Sequence, residues 1–119
     1  MELNVNQLLG EVDHLIRNLV PCFFEAAGIK READALRKLP SVTGGRGPVG
    51  LCRKFLHSLT NSVPDSVRDP YWRFMVSEVT FWAEAALATA ETNETSDCLI
   101  SVFFVKRTMD EAWDKFVEH

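Results

Sequence analysis

The sequence predicts an all-α protein, a compact bundle of four main helices plus one or two short helices around a central apolar helix at about residues 70–91. Residues 71–91 contain neither glycine nor proline. Placed on a helix, their apolar side chains cover most of the circumference, so several neighbouring helices must pack around them. The flanking segments carry apolar residues at helical spacing, and only residues 98–105 resemble a strand.

The central helix has a clear start. Asp69 is a good N-cap residue, and Pro70 suits the first turn because its missing N–H would have no intrahelical partner there. An apolar seam then recurs every three or four residues, at Trp72, Met75, Val79, Trp82 and Ala86. We expect this seam to face the core.

The first helix is predicted from an apolar stripe at Val5, Leu8, Val12, Leu15 and Leu19. Pro21 must break or kink it. The short continuation that follows should end at Gly28, which suits the left-handed position after a helix. Residues 30–39 read as a short helix that Pro40 ends.

Four of the six glycines lie between residues 44 and 50, which predicts a loop before a helix at about 49–61. The run at 98–105 is β-branched and aromatic, so helix and strand both remain open there. We favour a helix, because a strand would have no partner.

At 119 residues and a net charge of −4, the chain is predicted to form one domain. Its three cysteines are far apart and form no CxxC pair, so a zinc or redox site is not expected. No stretch approaches 18 consecutive apolar residues, which argues against a membrane span. We therefore expect a cytoplasmic protein that works without a cofactor.

The charge is unevenly distributed along the chain. Residues 30–54 contain seven basic and two acidic side chains, whereas both flanks are acidic. The favoured interpretation is an intracellular protein–protein interaction or regulatory module, rather than an enzyme, that docks an acidic partner. The candidate contact residues are Arg37, Lys38, Arg46, Arg53 and Lys54. Nucleic-acid binding by the same basic surface is an alternative.

One carboxylate interrupts the apolar arc of the central helix. Glu78 lies between Phe74 and Trp82 on the same side of the helix. Charged groups are rarely buried unless they are paired. Three interpretations are open: the helix leaves Glu78 at the surface, an arginine or His57 of a neighbouring helix pairs with it, or this arc faces a second subunit of a homo-oligomer or another partner rather than the core.

A second alternative comes from a carboxylate pattern. Glu91, Glu94, Glu111 and Asp114 resemble the ExxE…ExxD signature of all-α nucleotide pyrophosphohydrolases of the MazG type. The resemblance covers these four residues only. It implies a Mg²⁺ site formed by four carboxylates on facing helices, next to a bound phosphate chain.

Overall fold

The computed structural model describes the backbone of residues 3–117 and the side chains of residues 3–115. Six α-helices account for most of this chain. They are α1 (Val5–His14), α2 (Val20–Ala26), α3 (Lys30–Lys38), α4 (Arg46–Asn61), α5 (Pro70–Glu91) and α6 (Thr95–Val117). A π-helical segment, Leu15–Leu19, joins α1 to α2, and a 3-10 turn, Val42–Gly44, precedes α4. The all-α prediction is confirmed.

The α5 helix is the central element, as predicted. Asp69 accepts a hydrogen bond from the backbone N–H of Tyr71 at 2.9 Å, which caps the helix at the predicted residue. Helix α5 lies between α4 and α6 and also contacts α1. Small side chains allow close packing: Ala83, Ala86 and Ala90 are fully buried. The backbone carbonyl of Ala86 accepts a hydrogen bond from the Cys98 thiol of α6 at 3.5 Å.

The break predicted at Pro21 takes the form of the π-helical segment. Proline cannot donate to the carbonyl one turn earlier and clashes with it, and a wider turn relieves the clash. The Val20 N–H accordingly bonds to Leu15, five residues back. The extra residue in this turn shifts the register of the stripe. Leu15 and Val20 remain buried, but Leu19, which we expected in the core, is 37% exposed.

Gly28 ends α2 as predicted. It has φ of 89°, a conformation that a side chain disfavours. Its N–H bonds to the carbonyl of Glu25, and that of Ile29 bonds to the carbonyl of Phe24. These two bonds form a Schellman motif. Ile29 is 2% exposed, so the hydrophobic contact after the glycine is also present.

Two charged residues of the first helical stretch hold the following loop in place. Asp13 Oδ1 accepts hydrogen bonds from the Val42 N–H and the Ser41 hydroxyl, each at 3.0 Å. Arg17 donates to the carbonyls of Arg37 and Leu39 and also pairs with Asp13. The C-terminal end of α3 and the 3-10 turn are therefore fixed against α1.

One helix boundary differs from the sequence-based expectation. Helix α4 begins at Arg46 rather than at Val49, directly after Gly45, whose φ is 112°. Pro48 is tolerated in the first turn because the N–H groups there have no intrahelical partner. The run at 98–105 lies inside α6, so the choice between helix and strand is settled in favour of the helix.

One hydrophobic core joins residues of all six helices, among them Leu8, Phe24, Leu36, Leu56, Val79 and Val105. None of the helices within residues 3–117 has the length and apolar composition needed to cross a bilayer.

Candidate interaction surfaces

The predicted basic residues lie on two different helices. Arg37 and Lys38 belong to α3, which packs on α2 and the π-helical segment, whereas Arg53 and Lys54 belong to α4, which packs on α5 and the 3-10 turn. The basic island in the sequence is therefore divided between two packing environments. Each has to be considered separately.

On α3, Arg37 forms ion pairs with neighbouring carboxylates. It pairs with Glu25 of α2 and, at 3.2 Å, with Asp34 one turn earlier. The hydrogen bond to Glu25 raises the pKa of Arg37 above its ordinary value. Lys38 is exposed and lines a shallow depression together with Lys30, Arg31, Asp34 and Ala35. Arg37 is thus less available to a partner than its position in the sequence suggested.

On α4, the basic residues share one exposed side. Arg46, Gly50 and Lys54 follow each other at intervals of one helical turn, and all three are exposed. Arg53 lies beside Lys54 and is half-buried. We call Arg46, Gly50, Arg53 and Lys54 the α4 basic face. Helix α4 begins at Arg46, so this face is helical throughout instead of starting in a flexible loop.

Arg53 is the residue of this face whose hydrogen bonding is incomplete. Its Nε is shielded from solvent and finds no acceptor among residues 3–117. Its Nη1 lies 4.0 Å from the Glu91 carboxylate of α5, at the outer limit of an ion pair. A buried N–H donor without a partner costs about 1–3 kcal/mol. Because Nε is closed to solvent, a partner's acceptor can reach only the rest of the side chain, which as a whole is 40% exposed.

Arg53 borders a groove of about 420 Å³ between α4 and α5. The groove is also lined by His57, Thr60, Asn61, Phe81, Glu84, Ala85 and Ala88. His57 Nδ1 lies 3.3 Å from Glu84 Oε2, and its Nε2 lies 3.0 Å from the Asn61 amide nitrogen. Glu84 thus has a partner on α4, and the Arg53 end of the groove carries the incompletely bonded cation.

The predicted arc around Glu78 is divided between solvent and α6. Phe74 is 60% exposed, whereas Glu78 and Trp82 are half-buried. Trp82 stacks on Phe104 of α6, with ring centroids 4.8 Å apart and an interplanar angle of 24°. Phe103, next to that ring, is 57% exposed. The sequence favoured a helix at 98–105, but its pattern could not show that Phe104 meets Trp82, because that contact depends on how two helices pack.

The structure also contains an apolar cleft of about 300 Å³ that the sequence did not predict. Its lining comes from the first helical stretch, from the start of α5 and from the second half of α6, namely Leu19, Cys22, Phe23, Ala26, Trp72, Lys106, Met109, Asp110 and Trp113. Leu19 reaches it because the π-helical turn moves this residue out of the core. In the sequence, Pro21 signals a break in the helix. A proline alone does not show in which direction the apolar stripe is displaced around the helix axis.

The four carboxylates of the pyrophosphohydrolase-like pattern do not come together. Helices α5 and α6 are antiparallel, and the Tyr71 hydroxyl, near the start of α5, reaches the carbonyl of Glu111 at 3.5 Å. Glu91 lies at the other end of α5, about 30 Å away at 1.5 Å per residue. Across residues 3–117, no three His, Cys, Asp or Glu side chains are grouped closely enough to hold a metal ion. The implied four-carboxylate Mg²⁺ site is therefore not formed.

No protein-family model matches this chain, and neither a curated protein nor a solved structure is significantly similar to it. Its function is accordingly inferred from its own surfaces.

Proposed function

We propose that this protein is a small regulatory interaction module that binds an acidic segment of a partner protein on the α4 basic face. The observation that supports this most directly is the Arg53 side chain, which is 40% exposed at the edge of an open groove and has only a marginal ion-pair contact, at 4.0 Å from Glu91. A carboxylate of the partner supplies a closer acceptor for the exposed part of this guanidinium.

Binding would use the geometry of the guanidinium. Its two Nη groups can donate two parallel hydrogen bonds to a single carboxylate, and such charge-assisted bonds are stronger than neutral ones. Glu91, at 4.0 Å, competes only weakly because it is at the limit of ion-pair distance. The partner's carboxylate therefore replaces a poor contact with a good one.

Arg46 and Lys54 extend the same surface. Both are exposed, and Gly50 between them has nothing within 4 Å of the position a Cβ would occupy. A helix-interior glycine costs about 1 kcal/mol relative to alanine. Gly50 leaves room for the partner's backbone between Arg46 and Lys54. These two cations add long-range attraction to an acidic chain.

The test compares two triple variants that remove the same charge. One is Arg46→Ala/Arg53→Ala/Lys54→Ala, and the matched control on α3 is Lys30→Ala/Arg31→Ala/Lys38→Ala. Binding of a fluorescent glutamate-rich peptide is measured by anisotropy at several salt concentrations. We expect the α4 variant to bind the peptide at least about tenfold more weakly, a loss of ~1.4 kcal/mol, and the control to stay within about threefold.

Two results would contradict the proposal. Equal weakening by both variants would show a general charge effect rather than a site. A single-stranded oligonucleotide of equal charge that binds more tightly than the peptide, with a steep salt dependence, would favour the nucleic-acid alternative.

A further inference from the structure

Four aromatic rings form a continuous array across α5 and α6. The Phe81 and Trp82 ring centroids lie 5.1 Å apart in an edge-to-face arrangement, and Trp82 stacks on Phe104. Phe104 in turn contacts Phe103, with centroids 5.6 Å apart. We call Phe81, Trp82, Phe103 and Phe104 the aromatic array. Its two outer rings, Phe81 and Phe103, are 49% and 57% exposed.

The exposed apolar surface continues beyond the array on both helices. Phe74 lies two turns before Phe81 on the outer strip of α5, and Ile100 lies one turn before Phe104 on α6. They are 60% and 51% exposed. With about 200 Å² for a fully exposed large side chain, these two residues and the outer rings present roughly 400 Å² of apolar surface.

This area matches what one subunit contributes to a stable dimer. A standard interface buries about 800 Å² per partner, of which roughly 60% is apolar. The half-buried Trp82 and Phe104 add to the 400 Å², and the total approaches that apolar share. The α4 basic face suits an acidic and polar partner, whereas the aromatic array, which meets the groove beside Arg53 at Phe81, suits an apolar one.

We infer that the occupant is a second copy of this chain, bound through the aromatic array about a two-fold axis. The charges beside the array fit this arrangement. Glu78 lies one turn before Trp82, and Arg107 lies three residues after Phe104, so in the antiparallel hairpin both flank the same end of the stacked pair.

A two-fold axis parallel to the hairpin, running between α5 and α6, places α5 of one copy over α6 of the other. The Glu78 side chain then meets Arg107 of the second copy, and the same contact is repeated by symmetry. Arg107 now pairs with Glu111 at 3.2 Å, but both side chains are more than half exposed. Exchanging this partner costs little, because exposed ion pairs contribute at most about 1 kcal/mol.

The experiment measures the mass of the full chain by sedimentation velocity over a wide concentration range. We expect the wild type to reach twice the 13.5 kDa of one chain. Phe103→Glu should raise the dimer Kd at least about tenfold, because an exposed aromatic ring of the interface is replaced by a charge. The matched control is Leu51→Glu, on α4, where a leucine of similar exposure, 51%, lies outside the array.

A charge exchange tests the orientation and does not depend on Phe103→Glu folding. Glu78→Arg and Arg107→Glu should each weaken the dimer, and the double variant should recover most of the loss. A wild type that stays at 13.5 kDa at all concentrations overturns the inference. So does a control that weakens the dimer as much as Phe103→Glu, or a double variant no better than the single ones. We expect the triple variant Arg46→Ala/Arg53→Ala/Lys54→Ala to leave the dimer intact, because none of these residues belongs to the aromatic array, so this inference can fail independently of the proposed function.

Discussion

The three cysteines lie in different environments, and the environment of a thiol sets its reactivity. Cys22 is exposed beside the apolar cleft, whereas Cys52 and Cys98 are buried in the core. Burial raises the pKa of the Cys52 thiol from 9.0 to about 11, with a smaller contribution from the negative charge of Asp13. Burial also raises the pKa of Cys98. We therefore expect only Cys22 to react rapidly with thiol reagents in the native protein.

The stability of the fold should depend on Cys52 in alkaline solution. Its pKa is higher in the folded chain, so the folded state holds the proton more tightly than the unfolded state. Stability is then unaffected below about pH 9 and falls as the pH rises toward 11, by about 2–3 kcal/mol. Urea unfolding at pH 8 and at pH 10.5 measures the loss, and Cys52→Ala serves as the comparison. An equally steep loss in that variant would assign the effect to other groups.

Asp13 makes tertiary contacts that the sequence could not reveal. The helical pattern places it away from the apolar stripe of the first helix, which reads as a solvated position. Its carboxylate instead holds Ser41 and Val42, almost thirty residues further along. Local periodicity identifies the side of a helix on which a residue lies, but it does not identify a loop that folds back onto that side.

At the scale of the helices, α5 was the most predictable element, because Asp69 and Pro70 signal its start locally. Arg73 was less predictable. It lies in the second half of the first turn and donates to the carbonyls of Pro64 and Val67, each at 2.9 Å, and of Val63 at 3.0 Å. The linker between α4 and α5 is therefore folded onto α5 rather than extended into solvent.

Replacing Arg73 with lysine should destabilise the protein by roughly 1–3 kcal/mol. The lysine keeps the charge, but its three N–H donors share one nitrogen and cannot span the positions of the two guanidinium nitrogens that donate to these carbonyls. The free energy of unfolding in urea measures the effect. Arg68→Lys, at an exposed position of the same linker, is the control and should stay within about 0.5 kcal/mol of wild type. Equal losses in the two variants would show that the carbonyl contacts contribute little.

At the scale of the whole molecule, the shared core predicts cooperative unfolding. Buried residues from all six helices belong to one cluster, and the tryptophans lie on the two longest helices. Small domains with a single core usually unfold in one step. We expect the urea transitions followed by helical circular dichroism and by tryptophan fluorescence to coincide.

That measurement is best made on Phe103→Glu, because association makes the midpoint depend on protein concentration. Two separated midpoints would mean that the first helices and the α5–α6 pair unfold independently, contrary to the prediction of one domain.

The sequence by itself determined the helical class, the central helix and its start, the break at Pro21 and the end of α2 at Gly28. Each depends on spacing and turn chemistry within a few neighbouring residues, which act before any distant contact forms. Only the tertiary structure separated Arg37 from Arg53 and stacked Trp82 on Phe104. Those outcomes depend on which helix faces meet, and that choice is made by packing between residues far apart in the chain.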